Sequence, residues 1–216
     1  MSINILLTGF EPFGGESINP SWEVAQRLGG ELAPGVRVHS RRLPCAFGPA
    51  VAALDAALRE TRPAVALALG LARGRHELSL ERVAVNLIDA RIPDNAGAQP
   101  IDEPVTVGGP DGYFSTLPLK PMVAGLRAAG HPAGLSYTAG SYVCNAVFYA
   151  LQHGLAGQGA KSGFMHLPCL PEQAAREPAP SMALAQMIDG VRLALVLALE
   201  TDASADAVRF SAGTIA

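Results

Sequence analysis

Short apolar runs that end at glycine, separated by stretches of helical period, constrain this chain more than any other feature. Ile3 to Thr8 is a β-branched and leucine run that stops at Gly9, and Ala64 to Leu69 is a continuous apolar run closed by Gly70. Runs of that length and character fit strands buried in a sheet interior. Between them, Asn19-Pro20-Ser21 offers a helix start, Trp22, Val24, Ala25 and Leu28 follow at helical spacing, and Gly29-Gly30 gives a stop. The alternation continues along the chain. Val36 to Leu43 alternates as a strand does, and Gly48-Pro49 opens a helix with Val51, Leu54 and Leu58 on one face. Leu78 to Ile88 alternates in part. Leu119 to Ala129 reads as a helix ended by Gly130, Ala133 to Thr138 as a strand, and Cys144 to His153 as a helix. Ser162 to Leu167 is a further strand, and Ser181 to Leu199 the longest helix.

Strands that alternate with helices predict an α/β fold: a mostly parallel twisted sheet with helices on both faces, three layers in α/β/α order. At 216 residues, and with no linker or repeat, the chain is expected to form a single catalytic domain over 1–216, with a small polar tail from about residue 200. The 23 glycines and 17 prolines concentrate in loops, above all Pro93 to Gly112, a length of loop that in compact domains is usually functional. In sheets of this kind reactive groups sit beyond the carboxyl ends of strands. Gly9 to Asn19, Ala139 to Cys144 and His166 to Pro171 have that address.

Charge narrows the function. Only 16% of residues are charged, and the net charge is −3. High apolar content with little net charge excludes intrinsic disorder, and the lack of any basic block argues against a nucleic-acid partner. So few charges imply either an unusually apolar surface or a surface partly hidden in an oligomer. Met1 to Gly9 lacks the positive leading region of a signal peptide, and Leu193 to Leu199 is too short to span a membrane, so a cytoplasmic protein is expected. Three widely spaced cysteines, Cys45, Cys144 and Cys169, are then free thiols.

Cys144 opens a helix, where positive partial charge should lower a thiol's pKa and favour the nucleophilic thiolate. Read alone it is equally a buried structural cysteine. Cys45, in a strand-to-helix turn, and Cys169, between prolines, open no helix and read as structural. A thiol nucleophile needs a base. His39, His76, His131 and His153 read as structural or surface residues, whereas His166 ends a strand at the expected reactive edge. It lies 22 residues after Cys144, about one helix plus one strand, which places the two at one end of neighbouring elements in right-handed crossover geometry. The base needs an orienting group in turn. Glu81 is an acid inside an otherwise apolar strand-like stretch, and its plain alternative is a salt bridge to Arg75 or Arg82. No second Cys or His pair stands where His166-Leu167-Pro168-Cys169 could become a metal site, and no cofactor is called for. The Thr8 to Gly15 loop follows a strand, but it lacks the phosphate-loop patterns. Phe10 and Phe13 suit an apolar pocket wall, or a plain anchor on the core.

These segments together resemble the pyroglutamyl peptidase I (pyrrolidone-carboxylate peptidase) family of cysteine peptidases. The resemblance rests on Gly9-Phe10-Glu11-Pro12-Phe13-Gly14-Gly15 with Asn19-Pro20-Ser21, on Glu81 to Asn86 continuing to Asp89 to Asn95, and on Tyr113 to Pro118. Its most specific parts are Thr138 to Asn145 and Gly163 to Gln173, and it runs from Ile5 to about Leu199. The family implies a triad at Glu81, Cys144 and His166, removal of an N-terminal pyroglutamyl residue from peptides, and a homo-oligomer, tetramer or dimer. It implies substrate contacts at Phe10, Phe13, Leu71, Arg91 and Tyr142. Two positions depart from its pattern. Leu71 stands where many members have Gln, and Tyr142 where Phe is common. Two rival readings keep the same architecture: a nucleoside- or phosphate-handling enzyme using the Gly14-Gly15 loop, and a binding homologue without turnover.

Overall fold

The computed structural model describes residues 2–201, 208 and 210–212. Most of the expected tail therefore lies outside the described residues. A seven-stranded sheet runs in the order β2-β3-β1-β4-β9-β5-β8. Its strands are β1 (Ile3–Phe10), β2 (Gly30–Ala33), β3 (Val36–Leu43), β4 (Val65–Leu71), β5 (Leu78–Glu81), β8 (Ala133–Ser136) and β9 (Lys161–Leu167). A separate hairpin pairs β6 (Val83–Val85) with β7 (Gly112–Phe114). Helices α1 (Pro20–Leu28), α3 (Leu119–Ala128) and α6 (Leu184–Glu200) cover one face with a largely apolar core, and the single-turn α5 (Pro171–Ala174) follows β9. Helices α2 (Phe47–Thr61) and α4 (Val143–Leu155) cover the other. The three-layer α/β/α expectation is met.

Local chemistry explains these elements. Asn19 caps α1 by accepting from the Ser21 amide at 3.1 Å, with Pro20 at the first helical position. No side chain of Ala46 can cap α2, so Asp94 does so from a distant loop, accepting from the Phe47 amide at 2.9 Å. The two strand-ending glycines are not strand ends. β1 continues through Gly9 to Phe10, and β4 through Gly70 to Leu71. Gly9 is needed because a Cβ there would collide with the Ser21 backbone, where α1 crosses the strand.

Three further differences have physical causes. Gly30, read as a helix stop, also begins the short antiparallel edge strand β2, too brief and too polar to show periodicity. The longest helix starts at Leu184 rather than Ser181, because Ser181 bridges to Cys169 in extended form. The crossover expectation fails. β5 is parallel to β8 but antiparallel to β9, so the strand before α4 runs opposite to the strand after it. The sheet is mostly parallel, with antiparallel pairings at β2–β3 and β5–β9.

The Pro93–Gly112 loop is pinned along its length. Ile88 and Glu103 exchange backbone bonds at 2.7 and 3.0 Å, and Asn86 Nδ2 and Oδ1 each bond the Thr106 backbone at 2.9 Å.

Candidate active site

Strand β9 sends Met165 and Leu167 into one core and turns Phe164 and His166 to the face beneath α4. On β5, Leu78 and Leu80 join the same core as Met165, which leaves Ser79 and Glu81 on the α4 face. Ser79 pairs with His166 and Glu81 with Phe164. Glu81 and His166 are thus diagonal neighbours on one face of an antiparallel pair. Their side chains meet there: His166 Nδ1 lies 2.7 Å from Glu81 Oε1, with both residues buried. A carboxylate can only accept, so Nδ1 carries the proton and Nε2 is the free, basic nitrogen. The plain alternative for Glu81 holds in part, since Arg75 Nη2 lies 3.7 Å from the same oxygen. Arg82 instead sits over the Phe114 ring at 5.6 Å.

Cys144 is the second residue of α4, which starts at Tyr142 without a side-chain cap. Its thiol lies over β4. A Cβ added at Gly70 would sit 2.9 Å from Cys144 Sγ and 2.8 Å from Phe164 Cζ, and Gly70 is the ladder partner of His166. Glycine at 70 is therefore the space in which sulfur approaches the imidazole's strand. The sequence signal was present, a glycine inside an apolar strand, but it reads as punctuation until the helix above it is known. The expected lowering of the Cys144 pKa is reversed. Burial pushes the thiol up, Cys45 and Glu81 push the same way, and the helix-start backbone N–H opposes them without prevailing.

Two of the residues expected around the substrate, Phe13 and Tyr142, pack with Phe47 in an aromatic corner two residues from Cys144 in sequence. The Tyr142 ring packs on Phe13 at 5.5 Å and edge-on against Phe47 at 5.2 Å. Its hydroxyl donates to the Pro93 carbonyl at 2.9 Å. Phe10 is almost fully buried in the core of that face, and its amide donates to Ser21 Oγ at 2.9 Å. Leu71 is half-buried at the end of β4, opposite Leu167. The exposed Arg91 lies between Asp89, whose amide bonds the Ser141 carbonyl at 3.0 Å, and Pro93. Its loop is thereby stitched to Ser141 and Tyr142, three and two residues before Cys144.

Several residues of this region carried no readable signal. Phe47 completes the aromatic corner. Glu11 ties three segments together, accepting from the Cys45 amide at 3.0 Å and from Asn95 Nδ2 at 2.8 Å. Asn145 is fully buried. It accepts from the Val85 amide at 3.0 Å and donates to the Val85 and Leu87 carbonyls at 2.9 Å. That clamp holds the start of α4 against the segment after Glu81. Cys45 and Cys169 are buried, and burial pushes the Cys45 thiol up to about 12. A cavity of about 730 Å³ opens elsewhere, between Asp55, Arg59, Arg62 and His153, and contains no triad residue.

The family model for pyroglutamyl peptidase (peptidase C15) matches residues 3–201. The chain belongs to the pyroglutamyl peptidase family. The pyrrolidone-carboxylate peptidase of Cupriavidus pinatubonensis is 55% identical over 92% of this chain and 94% of its own. That of Chromobacterium violaceum is 56% identical over 90% and 92%. Among solved structures, pyroglutamyl peptidase I of Bacillus amyloliquefaciens superposes with a TM-score of 0.90 at 40% identity, covering 93% of this chain and 97% of its own. A mutant pyrrolidone carboxyl peptidase of Pyrococcus furiosus gives 0.89 at 43% identity, covering 92% and 99%. As a member of this family the chain is a cysteine-type peptidase, which favours it over the nucleoside- or phosphate-handling alternative. Among the described residues, no helix is long and apolar enough to cross a membrane.

Proposed function

We propose that this pyroglutamyl peptidase removes the N-terminal pyroglutamyl residue of peptides with Cys144 as nucleophile, His166 as general base and acid, and Glu81 as the group that orients His166. The observation that carries this is the buried 2.7 Å bond from His166 Nδ1 to Glu81 Oε1, made on the face where Cys144 Sγ overlies Gly70. Glu81 holds the tautomer in which Nε2 is the basic nitrogen. Nε2 takes the thiol proton as general base when sulfur attacks. Sulfur then bonds to the pyroglutamyl carbonyl carbon. The C–N bond breaks as His166 returns the proton to the leaving amine. Water, deprotonated by His166, cleaves the thioester, and the proton goes back to sulfur. The uncapped start of α4 supports the Cys144 amide as an oxyanion donor, worth about 3–4 kcal/mol, with Arg91 as a second.

Pyroglutamate is compact and uncharged, with an apolar ring face and one lactam N–H and C=O. The corner of Phe13, Phe47 and Tyr142 above Phe10, with Leu71 on the β4 side, supports a slot for that ring. Leu71 offers only its backbone to the lactam, which supports recognition through main-chain groups. No cofactor takes part. The single seven-stranded sheet, whose strands come from residues 3 to 167, supports one catalytic unit. Sparse charge and exposed Ile92, Ile101, Val107 and Phe114 support a homo-oligomer, tetramer or dimer. Release of a fluorophore from a pyroglutamyl amide is expected with the reduced protein and lost in Cys144→Ser. No release by the reduced wild type sinks the reading, and binding without release would make the chain a non-catalytic homologue.

A further inference from the structure

We infer that Arg75 is a positioning residue for the triad, a permanent counter-ion that holds Glu81 charged and aimed at His166. This rests on the triad reading above. Glu81 is fully buried, one oxygen serves His166, and the other, Oε2, has no hydrogen-bond partner. A buried carboxylate without a cation is strongly disfavoured. His166 supplies that cation only for the part of the cycle in which it holds the proton taken from sulfur. The groups facing Glu81 are His166 from β9, the Cys144 thiol from α4 and Arg75 from the turn between β4 and β5. Only Arg75 is cationic throughout the cycle.

Its placement is built. Arg75 Nη2 donates to Ser136 Oγ at 2.8 Å while standing 3.7 Å from Glu81 Oε1. Ser136 is buried, is the ladder partner of Glu81, and donates in turn to the Thr138 carbonyl at 3.1 Å. The turn that carries Arg75 is anchored beside His166, since the Ala72 amide donates to the Leu167 carbonyl at 3.0 Å and the Arg75 amide to Ala72 at 3.1 Å. The guanidinium thus spans the ends of two strands and draws Oε1 toward the imidazole side. Exposed ion pairs contribute little, but here the carboxylate is wholly buried while only the arginine reaches solvent.

A double-mutant cycle on the full-length protein tests this, with Arg75→Met, Arg75→Lys, Glu81→Gln and the Arg75→Met/Glu81→Gln pair, read as kcat and KM on a pyroglutamyl amide. Arg75→Met is expected to lower kcat about tenfold with KM within twofold, and Arg75→Lys to recover most of that loss. In the Glu81→Gln background, Arg75→Met is expected to change kcat by less than twofold, because no charge remains to hold. Equal losses in both backgrounds would make Arg75 a fold residue only, and no loss in the wild-type background would remove its role. If Arg75→Met does not fold, Arg75→Gln replaces it. Unchanged kcat in Arg75→Gln then overturns the proposal. If Glu81→Gln itself leaves kcat intact, the triad reading has failed, a different outcome from failure of the Arg75 proposal alone.

Discussion

The two faces of one sheet are built to opposite rules. On the face under α1, α3 and α6 the strands present Ile5, Leu7, Leu67, Leu69, Leu78, Leu80, Met165 and Leu167, all apolar and all buried. On the face under α2 and α4 the same strands present Thr8, Gly70, Ser79, Glu81 and His166 among the apolar residues, and Cys144 descends onto them from α4. One residue of register separates a core position from a catalytic one. The first face stabilises the fold. The second holds a buried carboxylate with an orphaned oxygen, a raised thiol and a glycine-wide gap, each of which costs stability and suits chemistry.

Substitutions should separate the faces. Cys144→Ser is expected to lower kcat/KM by about 10³-fold or more while leaving denaturant unfolding nearly unchanged. A loss of stability matching the loss of activity would show that the faces are not separable. The mirror experiment is Leu195→Ala, in α6 and fully buried on the apolar face. It should cost about 2–5 kcal/mol in unfolding free energy. kcat/KM per folded molecule should stay near wild type, as checked by active-site titration below the new melting point. Gly70→Ala probes the boundary. Its methyl would press on Cys144 Sγ and Phe164, and kcat/KM should fall about 10- to 100-fold with a small stability change.

The smallest effect concerns pH. In the folded state Cys45 is raised to about 12 from 9.0, by burial first and then by Glu11 and Asp94. A group with a raised folded pKa gives stability that is complete below the unfolded pKa and lost as pH rises through the folded one. The wild type should therefore lose stability between about pH 9 and 12, and Cys45→Ala should lose less over that window in urea melts at stepped pH.

Periodicity made the apolar face readable. Continuous apolar runs at β1 and β4 and the helical spacing of α1 have one simple explanation. The catalytic face was readable only where a residue contradicts its surroundings, as Glu81 does among Leu78, Leu80 and Val83. Gly70 was misread as an end because its reason is a sulfur 74 residues away in sequence. Phe47, Glu11 and Asn145 were silent for the same reason, since each works through contacts that only the folded topology brings together, and Arg75 was readable only as a salt-bridge partner of Glu81. The antiparallel entry of β5 was likewise invisible, because direction in a four-residue strand leaves no mark on composition.

The central claim, that the half-buried Cys144 is the reacting thiol, is tested most directly by iodoacetamide inactivation with each cysteine mapped by peptide mass spectrometry over time. Cys45 and Cys169 are buried and Cys144 is partly exposed. Activity should fall in proportion to Cys144 labelling alone, and a pyroglutamyl ligand should slow both together. Full activity in protein labelled at Cys144, or inactivation that follows Cys45 or Cys169, would contradict the account.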